Sequence, residues 1–173
     1  DHLGPVAVSS DARLSCAGLI DVAPASTWSN RLVGPAERVT WHLVGDNSID
    51  PQLPLDLDVV FGIVGDSGER VDGQTDAVVV VVGADQARRL QTAVTELRGS
   101  AFLVCQPPDR SEAWRAIVRE ATISDAGVIV CVHDELPLDA RHWIERTPHL
   151  AWSVTAPTLL PIESLPRRPW REV

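Results

Sequence analysis

The segment from Gly83 to Leu90 combines residue types and a position that are typical of phosphate binding. Gly83 comes directly after a run of five valines, and a helical pattern begins shortly after it. Backbone N–H groups at the start of a helix carry partial positive charge, so a strand, a glycine and a helix in this order form an anion site. The residues that would line this site are Gly83, Ala84, Asp85, Gln86, Arg88 and Arg89.

The same segment lacks the side chains that complete a phosphate-binding loop. With Gly83 as the first glycine of the pattern G-x-x-x-x-G-K-[ST], Arg88 takes the second glycine and Arg89 takes the lysine. Leu90 then falls at the hydroxyl position and has no oxygen for Mg²⁺. Arg88 cannot freely adopt glycine-only conformations, and the planar fork of Arg89 does not reproduce the compact charge of lysine. We therefore predict no cofactor and no metal site for this segment.

Three polar residues that follow or end other apolar runs are weak catalytic candidates. Asp134 and Glu135 come shortly after the run Val128–Val132, where ATPases carry a magnesium-binding and a water-activating acid. Thr155 ends a further run, at the position of a polar sensor. The alternatives are structural, because an acid at this point often caps the next helix and a threonine often lies in a turn.

Apolar runs alternate with amphipathic stretches throughout the second half of the chain. This alternation predicts an α/β fold, a three-layer arrangement of a parallel sheet with helices on both faces. Asp109 and Glu112 have the spacing of a capping box at the start of one of these helices. The predicted strands are residues 77–82, 101–105, 128–132, 150–155 and 170–173.

The first half of the chain has a less regular pattern. We predict that Arg13–Val22 forms a short strand, that a helix begins at Pro35, and that a further strand lies near Val59–Val64. The stretch Gly62–Asp76 is rich in glycine and acids, which indicates turns and a linker. The predicted organisation is a small α+β segment over residues 1–61, a linker over 62–76, and an α/β domain over 77–173.

Composition and charge exclude several classes of function. The chain has 173 residues, with 24 Asp and Glu against 15 basic residues, and a net charge of −9. All the basic residues other than histidine are arginines, and this acidic balance argues against nucleic acid and anionic membranes as partners. No apolar run is long enough to span a bilayer.

The cysteines Cys16, Cys105 and Cys131 are far apart, which predicts reduced thiols in a cytoplasmic protein. The absence of Met suggests a piece of a longer protein.

The order of these elements resembles the core of a P-loop ATPase of the AAA family. Upstream, Arg31–Val39 and His42–Asp46 resemble the segment before the first ATPase-like domain in large bacterial tandem AAA proteins. Those proteins have a winged-helix N-terminal region, and some are encoded beside contractile injection systems. The residues 1–61 would then be part of a winged-helix region.

In that group the first ATPase-like domain is often degenerate. The resemblance therefore implies a non-hydrolysing pseudo-ATPase module that assembles into a ring or regulates its active neighbour. ATP and Mg²⁺ would belong to the parent protein. The expected partners are the neighbouring AAA domain, other subunits of the ring, or components of a secretion or injection system.

Two alternatives remain open. One is a weakly active nucleotide-dependent hydrolase that uses Arg89, Asp134 and Glu135. The other is an unrelated α/β regulator or scaffold, for example a receiver-like fold. Strand order separates them, since we expect an ATPase core to place its first strand between its third and fourth strands, whereas a receiver has the order 2-1-3-4-5.

Overall fold

A computed structural model describes residues 13–23, 32–61, 77–97 and 101–173. The predicted linker at 62–76 lies outside the described residues. The strands are β1 (Ile20–Val22), β2 (Val33–Pro35), β3 (Asp58–Phe61), β4 (Val78–Val82), β5 (Ala101–Cys105), β6 (Gly127–Cys131), β7 (Trp152–Ala156) and β8 (Trp170–Glu172). The α-helices are α1 (Arg13–Cys16), α2 (Glu37–Leu43), α3 (Gln86–Leu97), α4 (Ser111–Ile123) and α5 (Leu138–Arg146).

Six strands form one sheet in the order β3-β5-β6-β7-β4-β8. All neighbours are parallel except β3, which pairs antiparallel with β5. The predicted α/β class with a mostly parallel sheet is therefore confirmed. When the strands are numbered from β4, the first strand (β4) lies between the fourth (β7) and the fifth (β8). For an ATPase core we expected it between the third and the fourth. The receiver order is also wrong, because β4 and β5 are separated by two strands.

The valines of β4 alternate between the two faces of the sheet, and helices cover both faces. Val80 belongs to a core that includes Trp114 of α4 and Ile144 of α5. Val79 packs on the opposite face, in a cluster with Ala93 of α3. Burial on both faces explains why this strand is a continuous apolar run and not an alternating one.

The helices divide between the two faces because the connections change direction along the sheet. From β4 to β5 the chain moves towards one edge, with α3 on one face. From β5 through β6 to β7 it moves back, with α4 and α5 on the other face. Right-handed connections require this exchange of faces. Leu160 and Leu165, between β7 and β8, also belong to the α4 and α5 side, so neighbouring β4 and β7 are followed by connections over opposite faces.

The described residues before β4 form a two-stranded antiparallel sheet, β1-β2, together with two short helices and the edge strand β3. The register of β3 pairs Asp58 with Val104 of β5. Part of the predicted segment 1–61 therefore belongs to the large sheet. The division of the chain at residues 62–76 stays a prediction.

Three local expectations are wrong. Arg13–Val22 is not a single strand, because it forms helix α1 followed by the short strand β1. Pro35 ends β2 and does not open α2, because its segment pairs with β1 and is held extended. Asp109 does not cap α4, whose N-cap residue is Arg110 with no side-chain cap hydrogen bond. At Pro35, pairing between strands overrides the local helix signal.

Two buried ion pairs attach the N-terminal residues to α4. Arg38 donates from Nε and Nη2 to the carboxylate of Glu120, over 2.8 and 2.9 Å. In the second ion pair, Arg119, which precedes Glu120 on α4, donates from Nε to Oδ2 of Asp50 over 2.7 Å. Exposure of the four side chains is only 2–9%. The hydrogen bonds with Glu120 raise the pKa of Arg38.

A glycine allows this close packing against α4. Gly18 has a φ of +67°, which favours glycine, and a Cβ there would lie 2.9 Å from the carbonyl oxygen of Arg115. Arg119 also donates from Nη1 to the carbonyl oxygen of Gly18 over 3.3 Å. The turn after α1 thus lies directly on α4.

Within the described ranges, no helix is both long and apolar enough to cross a lipid bilayer. Cys16, Cys105 and Cys131 form no disulfide with one another; Cys16 and Cys105 are buried and Cys131 is partly exposed. Burial raises the pKa of the Cys105 thiol to about 12. The cytoplasmic location stays a prediction.

Candidate functional site

The connection between β4 and α3 consists of Gly83, Ala84 and Asp85. Gln86 is already the first residue of α3, so Arg88 and Arg89 lie in its first turn. A phosphate-binding loop of the pattern aligned above needs a longer arc between its first glycine and the helix. The valine strand, the glycine and the helix are present, but the connection is a tight turn.

Asp85 caps the start of α3 with its side chain. Its Oδ1 accepts a hydrogen bond from the backbone N–H of Arg88 over 3.1 Å, and its carbonyl oxygen accepts one from the N–H of Arg89 over 3.0 Å. A carboxylate at a helix start satisfies a free donor and is stabilised by the helix dipole. The negative group that a phosphate would supply at this point is thus already provided by the chain.

Arg89 folds back over the same turn. Its Nη1 donates to the carbonyl oxygen of Gly83, while its Nε is buried without a hydrogen-bond partner among the described residues. The N–H of Gly83 donates to the carbonyl oxygen of Ala156 in the neighbouring strand β7, over 3.1 Å. The glycine N–H is therefore engaged with the sheet and is not available to a ligand.

An open groove of about 500 Å³ lies beside this turn. Its far wall is Val173, which donates its N–H to the carbonyl oxygen of Val80 over 2.9 Å. Asp85 and Arg88 are exposed at the groove, so it presents charges of both signs. The lining residues are Val81, Val82, Gly83, Ala84, Asp85, Arg88, Arg89, Thr92 and Val173.

Asp134 and Glu135 are exposed in the connection between β6 and α5. Neither caps α5, whose N-cap residue is Pro137 without a side-chain cap hydrogen bond, so the capping alternative is wrong. β7 lies between β6 and β4, which separates the ends of these two strands by roughly 10 Å. The two acids are not among the residues that line the groove.

Thr155 lies within β7, which is flanked by β6, the strand before the two acids, and by β4, the strand before the Gly83 turn. It is 1% exposed and is paired in register with Val81 and Cys131, on the side of the sheet covered by α3. The alternative that Thr155 is a turn residue is wrong. Its side chain is buried under a helix, below the edge where a ligand would bind.

The two buried ion pairs on α4 were missed by sequence reasoning. Arg119 and Glu120 stand between the apolar residues Val118 and Ala121, so a charged pair within the core face of the helix was a signal. Their partners could not be identified, since Asp50 is 69 and Arg38 is 82 positions away.

The described residues contain no group of three or more His, Cys, Asp or Glu side chains that could hold a metal ion. Open α/β sheets bind ligands beyond the carboxyl ends of neighbouring strands whose connections leave over opposite faces. β4 and β7 form such a pair, which places the Gly83 turn at the expected position of a ligand site. Comparisons with protein families, curated proteins and solved structures found no match to this chain.

Proposed function

We propose that this segment is a non-hydrolysing, AAA-like pseudo-ATPase module that supports the assembly or the regulation of a larger ATP-binding protein. The position of the Gly83 turn supports the comparison with nucleotide-binding folds. The turn follows an internal parallel strand, at the point where ligand sites form in such sheets. Thr155 lies on the neighbouring strand β7, and Asp134 and Glu135 follow β6, the strand after it.

The start of α3 supports the proposal that this segment hydrolyses no nucleotide. The carboxylate of Asp85 occupies the N-terminus of α3, and Arg89 is bonded to the carbonyl of Gly83. A phosphate group placed about 4 Å from this carboxylate would be repelled by roughly 1–4 kcal/mol per charge. The chain has no lysine and Leu90 stands at the hydroxyl position, so the lysine and the Mg²⁺-binding hydroxyl that offset such repulsion in a phosphate-binding loop are missing.

An assembly role is supported by the surface of the N-terminal residues. Single exposed aliphatic side chains are common on proteins, but several within one short stretch favour contact with another domain or subunit. Five large aliphatic side chains between residues 32 and 55 are 64% or more exposed: Leu32, Leu43, Val44, Ile49 and Leu55.

Calorimetric titration of the chain with ATP and Mg²⁺ tests the proposal. We expect no saturable heat up to about 1 mM nucleotide and no release of phosphate. Micromolar binding with turnover would contradict it.

The groove of about 500 Å³ beside the turn favours a second candidate, a weakly active ATPase, because its volume is in the range of small-molecule sites. In that case Arg89→Ala and Glu135→Gln would abolish the turnover.

A further inference from the structure

A second groove opens at the carboxyl edge of the sheet, in a different place from the Gly83 turn. It has a volume of about 280 Å³. One wall belongs to the connection after β5 and the other to the connection after β6, and these two strands are neighbours. We call it the proline groove, and its lining residues are Pro107, Pro108, Asp109, Pro137, Leu138 and Asp139.

The walls of the proline groove combine stiff apolar residues with two carboxylates. Its three prolines hold their backbone φ near −65° and have no N–H group. Leu138 presents its side chain to solvent and is 67% exposed. A ligand therefore meets a preformed surface, so that little conformational entropy of the protein is lost on binding.

Carboxylates dominate the charge around the proline groove. Asp109 lies on one wall and Asp139 on the other, both are exposed, and no side chain caps either helix start. Asp134 and Glu135 are exposed in the same connection as the second wall. Arg110 contributes one positive charge, and the starts of α4 and α5 contribute roughly half a charge each. The four carboxylates outweigh these charges, so the surface favours a cation.

We propose that the proline groove binds the side chain of an arginine presented by an extended segment of a partner protein. A guanidinium has five N–H donors and no acceptor, which complements two carboxylates and walls with three residues that lack an N–H. The aliphatic stem of the arginine packs on the prolines and on Leu138. The volume of about 280 Å³ is below the usual range for cofactor sites and suits a single side chain.

The test is an NMR titration of the whole ¹⁵N-labelled chain with the capped tripeptide Ac-Ala-Arg-Ala-NH2 in 50 mM NaCl. We expect saturable shifts of the amide signals of Asp109, Leu138 and Asp139, with a Kd on the order of 1 mM for a ligand of this size. In 300 mM NaCl the Kd should rise about threefold or more, since exposed charges are screened. The uncharged peptide Ac-Ala-Gln-Ala-NH2 should give no saturable shift.

Paired variants distinguish a specific site from general attraction to an acidic protein. Asp109→Asn/Asp139→Asn should weaken binding about tenfold. The control Asp21→Asn/Glu172→Gln removes two exposed charges elsewhere and should leave the Kd unchanged. Equal weakening in both variants, or equal shifts with the glutamine peptide, would overturn the proposal. If the double variant loses its circular dichroism signal, Asp139→Asn alone replaces it, and an unchanged Kd in that variant would overturn the proposal equally.

Discussion

Breaking the buried ion pair between Arg38 and Glu120 should lower the free energy of unfolding much more than breaking an exposed ion pair. The perturbation is a double-mutant cycle with Arg38→Met, Glu120→Leu and the combined variant. Each single variant leaves one buried charge without its partner, because the two side chains are only 3% and 9% exposed. The combined variant replaces both charges by apolar groups of similar size.

The expected magnitudes follow from the cost of an unpaired buried charge. Each single variant should lower the free energy of unfolding by about 3–5 kcal/mol, and the combined variant by no more than about 2 kcal/mol. The coupling energy is then roughly 4 kcal/mol or more. Because 1 kcal/mol shifts Tm by about 2–4 °C for a chain of this size, each single variant should lower Tm by roughly 6–20 °C.

Urea denaturation followed by tryptophan fluorescence measures these values, since Trp114 and Trp152 are buried in the core. The control is the same cycle on Arg171 and Glu96, whose side chains form an ion pair at 48% and 31% exposure. We expect a coupling energy of about 1 kcal/mol or less there. The reasoning is refuted if the two cycles give the same coupling energy, or if the effects of Arg38→Met and Glu120→Leu simply add.

Three further predictions concern single residues. Gly127→Ala should cost about 1–3 kcal/mol in urea denaturation, because the new Cβ would lie 2.8 Å from the ring of Phe102, whereas Gly34→Ala, with no atom within 4 Å, should cost less. Asp85→Ala should cost about 1 kcal/mol through loss of the helix cap, and an unchanged value would contradict the capping role. Raising the pH from 9 towards 12 should lower the free energy of unfolding by up to about 1.4 kcal/mol per unit, because Cys105 ionises near 9.0 when unfolded and near 12 when folded. This contribution is complete below pH 9, and the corresponding slope should disappear in Cys105→Ala.

The sheet of the second half could be predicted because its signals are local. The run Val78–Val82 is apolar throughout, and a strand of this kind has to be buried on both faces wherever it lies in the sheet. The helix that follows was evident from its one-sided apolar pattern. The Gly83 turn was singled out for the same reason, since a glycine between a buried strand and a helix is visible in a few consecutive residues.

Local sequence carries the hydrogen-bonding and burial preferences of neighbouring residues, and these preferences sufficed for the α/β class, the parallel strands and the altered phosphate-loop pattern. The order of the strands depends on contacts between residues far apart, and so do the pairing of Pro35 in β2 and the partners of Arg119 and Glu120. The 82 positions between Arg38 and Glu120 contain many other charges that could pair with either residue. Only the packing of the whole chain selects one pair, because burial makes every incorrect pairing of these charges costly.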